Sequence, residues 1–163
     1  ICLYRSDIYG ILGLDYVELK VEQGSSLVLF YNPSALAATL SERRNARWLS
    51  RMGYPEPGCK DPKTGNGHLG KMLAHLVDRA AECGLPHEVG VFIGYPLKDV
   101  AGFIRNMPST PVHNGVWRVY GDAHESIALM NEYAQVEAEA SEALRRANGV
   151  DEFIDMISLK RAS

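Results

Sequence analysis

From Asp15 to Glu22 (DYVELKVE) the aliphatic positions Val17, Leu19 and Val21 recur every second residue. A period of two predicts a half-buried strand. Gln23-Gly24-Ser25 reads as a tight turn, and Ser26 to Tyr31 (SLVLFY) is apolar throughout, as in a strand covered on both faces. Asn32-Pro33-Ser34 is a helix start with proline in the first turn. Leu36, Leu40, Trp48, Leu49 and Met52 mark a helical region broken near Ser41 and ended by Gly53 and Pro55. Residues 54–67 hold three prolines and three glycines and read as a loop.

Leu69, Met72, Leu73, Leu76, Ala80 and Cys83 fall on one helical stripe, with Gly84 placed to end it. The apolar run from Glu88 to Gly94 predicts another strand. Pro96 then opens a short helix carrying Val100, Phe103 and Ile104. Asn106 to Asn114 reads as a loop, and Gly115 to Tyr120 (GVWRVY) as a strand. Asp122 with Glu125 resembles a capping box for a long helix whose stripe is Leu129, Tyr133, Val136, Ala140 and Leu144. After Gly149, Asp151 opens a last helix.

Helical crossovers between the later strands imply parallel pairing, whereas the tight turn makes the first strand antiparallel. The expected fold is therefore α/β: a small mixed, mainly parallel sheet of about four strands flanked by helices. It forms a single domain over residues 1–163, with 122–163 as a C-terminal helical segment.

Composition narrows the function only a little. The 163 residues include 17 basic and 20 acidic side chains, a net charge of −3, with no run of five like charges. That pattern argues against a nucleic-acid surface. No stretch is long and apolar enough to span a membrane. Three scattered cysteines, Cys2, Cys59 and Cys83, suit neither a disulfide framework nor a metal knuckle, and a reduced cytoplasm is the simplest setting. Ile1 in place of Met is the start expected of a fragment or a processed chain, and no signal peptide is visible.

Three predicted strands end in tyrosines just before helices: Tyr31-Asn32, Tyr95-Pro96 and Tyr120-Gly121-Asp122. On a parallel sheet these ends share one edge, where ligand crevices form and helix N-termini favour anions. Tyr31, Asn32, Tyr95, Tyr120 and Asp122 are thus candidates for binding a small, possibly anionic ligand. The alternative is that the tyrosines only seal the core, with their hydroxyls in water. His87 and Glu88 begin the second apolar strand. In a strand, His87 lies roughly 26 Å from Tyr95 and points opposite to Glu88. His87 as a general base, Glu88 beside it, and Cys59 as an exposed thiol are the catalytic candidates; a histidine that merely secures the loop before the strand is the alternative. Cys83, on the apolar stripe, reads as core. His68 and His75 are seven apart on a helix, about 10 Å by rise, too far to share a metal. No metal-ligand spacing is present, no nucleotide-binding or nucleophile-elbow motif occurs, and no cofactor is implied.

The segments PHEVGVFIGYPLKDVAGFI and GVWRVYGD, together with LVLFYNPSALAATL and RMGYP, resemble a bacterial family of unknown function, DUF3793, over roughly residues 15–135. The resemblance implies that His87, Glu88, Gly94, Tyr95, Pro96, Trp117, Tyr120, Gly121 and Asp122 belong to the family pattern. It implies no activity. Ile1-Cys2-Leu3 departs from the family's N-terminal pattern.

The leading expectation is a small cytoplasmic domain binding a small molecule at the tyrosine-lined edge. A hydrolase or transferase using His87 or Cys59 is one rival. The other is an interaction module, or homo-oligomer, using the C-terminal helices; an exposed apolar patch within residues 126–157 would favour it.

Overall fold

The computed structural model describes residues 10, 12–21, 25–56, 67–105 and 111–161. The chain forms two compact units, one from Asp15–Thr110 and the other from Ile1–Leu14 with Pro111–Ser163.

In the first unit, β1 (Asp15–Val21) and β2 (Ser25–Tyr31) pair antiparallel, Leu19 opposite Leu27 and Tyr16 opposite Phe30. The alternation puts Leu19 and Leu29 into the core. Val28 and Phe30 are exposed, so β2 is covered on one face, not both. Five helices follow: α1 (Pro33–Ser41), α2 (Arg43–Ser50), α3 (His68–Cys83), α4 (Val89–Phe92) and α5 (Leu97–Ile104). Asn32 caps α1, its side-chain oxygen accepting the Ala35 N–H at 3.0 Å, with Pro33 at the first helical position. The core gathers Leu36 and Leu40 of α1, Leu49 of α2, Met72, Leu73, Leu76 and Ala80 of α3, and Val91 and Phe92 of α4.

The second unit holds a short hairpin, β3 (His113–Asn114) with β4 (Arg118–Val119), then α6 (His124–Arg146) and α7 (Val150–Arg161). Trp117, Val119, Tyr120 and Met130 are buried here, and Met130 sulfur lies so close to Gly115 that any side chain at that position would collide with it.

The expected α/β fold with a mainly parallel sheet is wrong. The protein is mostly helical, with two small antiparallel two-stranded sheets among the described residues. Two misread segments explain the difference. Residues 88–94 are not a strand. Val89–Phe92 is one helical turn, and a short buried apolar run reads alike in either conformation. Gly90 lets this turn pack on α5, since a Cβ there would lie 2.8 Å from Val100 Cγ2. In Gly115–Tyr120, Arg118 and Val119 alone pair, and they do so with His113–Asn114 in a local hairpin. Without these two strands the helical crossovers have nothing to connect in parallel.

Two Gly-Tyr-Pro triplets, 53–55 and 94–96, end helices in the same way. The tyrosine N–H reaches a carbonyl five residues back (Tyr54 to Leu49, 3.1 Å; Tyr95 to Gly90, 2.8 Å). The glycine N–H reaches three back (Gly53 to Ser50, 3.0 Å; Gly94 to Val91, 3.2 Å). This is the Schellman closure, which requires a left-handed residue; Gly53 and Gly94 supply it with φ of 91° and 88°. The exit through Gly94-Tyr95-Pro96 is thus a helix stop.

Candidate functional site

Sequence neighbours His87 and Glu88 part company in the structure. Glu88 is 2 % exposed. Its Oε1 accepts from Arg79 Nε on α3 at 2.5 Å and from the Tyr54 hydroxyl at 3.3 Å. Burial, and then the Glu88 carboxylate, push the Tyr54 phenol well above its ordinary range. The Tyr54 ring also meets His75 edge-on at 4.4 Å and Phe92 at 5.6 Å. This node ties the stop of α2, the middle of α3 and the start of α4 to one carboxylate. A buried, hydrogen-bonded ion pair of this kind specifies packing more than it adds net stability. His87 faces outward and is exposed, its ring edge-on to Phe103 at 4.9 Å.

Each of the other sequence candidates has its own local setting. Tyr31, half-buried at the end of β2, has its hydroxyl raised in pKa by burial and then by Asp15. Asn32 is engaged as the α1 cap. Tyr95 is half-buried and would touch a Cβ placed on Gly90 at 3.4 Å. Tyr120 is buried in the second unit, and the Asp122 carboxylate accepts the His124 N–H at 3.0 Å at the start of α6. Among the described residues no parallel sheet supplies the common edge expected for these tyrosines. Cys59 lies outside the described residues. Cys83 is exposed, not core, and its thiol donates to the Arg79 carbonyl at 3.1 Å.

His68 and His75 hold ring nitrogens away from solvent without a hydrogen-bond partner among the described residues. Burial, with Lys71 nearby, lowers the pKa of His68. Among the described residues no three His, Cys, Asp or Glu side chains are placed to hold a metal ion.

Two surfaces stand out. The first is on α6, where all residues from Asn131 to Glu139 are exposed. Val136 is 60 % and Leu144 64 % exposed, with Tyr133 beside Trp117 at 6.1 Å on the same stripe. At 100° per residue, Glu132 falls on one flank of this stripe and Glu137 on the other. Neither forms an ion pair among the described residues, whereas Glu142 binds both Arg145 and Arg146. The second surface is on α2. Arg43, Arg47 and Arg51 repeat at every fourth position with Arg44 beside them, and all four are exposed. They make no ion pair among the described residues. Like charges four apart weaken a helix by some tenths of a kcal/mol each. Arg47 and Arg51, with Ala46, Ser50 and Glu56, line a shallow groove of about 360 Å³. A search for runs of like charge misses this array; the helical period of RRNARWLSR reveals it. Of the partners of Glu88, Tyr54 had a local signal in the repeated Gly-Tyr-Pro triplet, and Arg79 had none.

Among the described residues no helix is long and apolar enough to cross a membrane. No curated protein and no solved structure matches the chain. A family model matches residues 2–154, nearly the whole sequence, and on it the chain belongs to DUF3793, a family described as proteins of unknown function.

Proposed function

We propose that this protein is an interaction module that docks a basic helix on the exposed face of α6. One observation carries the reading: a 23-residue helix leaves Val136 and Leu144 mostly in water, flanked by Glu132 and Glu137, which form no ion pair among the described residues. Clustered apolar side chains with a charged rim mark a protein-binding surface. The rim selects the sign of the partner. Lysine or arginine heads match the carboxylates, and their aliphatic stems cover the stripe. Against a catalytic reading, Glu88 is held inward by Arg79 and Tyr54, leaving His87 without the adjacent carboxylate that would orient it.

The probe is a labelled 18-residue leucine–lysine amphipathic peptide, followed by fluorescence anisotropy. We expect saturable binding that weakens with salt, and at least tenfold weaker binding to the Val136→Glu/Leu144→Glu variant. A leucine–glutamate peptide should not bind. Equal binding of the basic peptide to wild type and variant, or none to either, overturns the reading.

A further inference from the structure

We infer that the basic helix received by α6 pairs with it as a two-stranded coiled coil between unlike chains, the partner carrying lysine or arginine at both positions that border its own apolar seam. The inference rests on the proposed function and names the partner's register and charge.

In α6, Leu129, Tyr133, Val136, Ala140 and Ala143 follow one another at steps of four, three, four and three residues. That is the spacing of a heptad, with Tyr133 and Ala140 at position a and Leu129, Val136 and Ala143 at position d. The acidic residues keep the same repeat. Glu125, Glu132 and Glu139 stand seven residues apart, each at position g, one residue before an a position. Glu137 takes the e position, one residue after Val136. Positions e and g border the seam on opposite sides and choose the partner by charge.

Exposure says where a partner can lie. Every residue from Asn131 to Glu139 is exposed, so both borders of the seam are open over about two and a half turns. The open stretch is bounded by buried Met130 and Ala143. Its large side chains, Tyr133 and Val136, are followed by small Ala140, so a large side chain of the partner fits opposite Ala140.

Charge excludes a second α6 as that partner. In a parallel pair, a g residue meets the e residue five positions on in the other helix, which sets Glu132 against the second copy's Glu137. An antiparallel pair sets g against g and e against e, again glutamate against glutamate. Like charges facing across an interface oppose association. Neither Glu132 nor Glu137 forms an ion pair among the described residues. Lysine or arginine at both e and g of the other helix satisfies them in either orientation.

The test uses the full chain and two labelled 21-residue peptides of identical composition, each with leucine at a and d. One has lysine at e and g and glutamine at b and c; its isomer exchanges the lysines and glutamines. By fluorescence anisotropy we expect the first to bind at least tenfold tighter than the isomer. The Glu132→Lys/Glu137→Lys variant, checked for folding by circular dichroism, should lose at least tenfold for the first peptide. It should also bind a peptide with glutamate at e and g that wild type rejects. Equal binding of the two isomers to wild type overturns the inference and leaves the proposed function standing. If neither isomer binds, both fall. A folded variant that rejects the glutamate peptide overturns the inference. So does a wild-type dimer in sedimentation velocity that Val136→Glu/Leu144→Glu abolishes, because the seam would then accept a second copy of itself.

Discussion

The two units use their helices in opposite ways. In the Asp15–Thr110 unit, α3 sends Met72, Leu73, Leu76 and Ala80 into one continuous core. In the other unit, α6 is longer by seven residues yet buries only Ser126, Met130 and Ala143. Helices in proteins are stabilised mainly by packing an apolar face. Among the described residues the first unit carries the interlocked core, and the long helix of the second leaves Val136 and Leu144 mostly exposed.

Substitutions in the two units should separate these roles. The largest effect belongs to Arg79→Met, which leaves the Glu88 carboxylate buried with Tyr54 alone. Loss of about 3 kcal/mol is expected, discounted from the upper end because Arg79 is itself partly exposed, and thermal unfolding should show it. If the variant melts like wild type, the node does not lock the core. Next comes Gly90→Ala, whose methyl would press on Val100 Cγ2 at 2.8 Å; about 2 kcal/mol should be lost in urea titrations.

Tyr54→Phe should cost about 1 kcal/mol, one hydrogen bond to a buried charge. It also tests a pH dependence. The folded protein keeps a phenol proton that the unfolded chain releases near pH 10. The stability from this group is complete below about pH 10 and falls as the pH rises above it. Denaturant melts from pH 8 to 11 should show a shallower alkaline loss in Tyr54→Phe than in wild type. The smallest effect on folding belongs to Val136→Glu/Leu144→Glu, expected to stay within about 0.5 kcal/mol of wild type. A large loss there would mean that the α6 face already packs against something in the isolated chain.

Much of the first unit was legible in the sequence. The alternation of Val17, Leu19 and Val21, the Asn32-Pro33 start and the stripe from Leu69 to Ala80 each depend on neighbours within a turn or a strand, and each appears where its pattern placed it. Val89–Ile93 was not legible. Five apolar residues suit a buried strand or a buried turn of helix, and the choice fell to packing of Gly90 on Val100, ten residues on. The polar node was hidden for the same reason. Tyr54 precedes Glu88 by 34 residues, and only the fold brings them together. The stripe on α6 was visible as a pattern, but its exposure was not, since periodicity shows a face and not what covers it.

Gly53 and Gly90 are needed for opposite reasons. At Gly90 the objection to a larger residue is space. At Gly53 an added methyl would meet His75 at 3.6 Å, an ordinary contact, so what forbids it is backbone handedness. Asparagine tolerates that hand better than alanine does. The stop of α2 is therefore a position where chirality can be varied almost apart from packing, with Gly53→Ala and Gly53→Asn reading the cost of one left-handed residue.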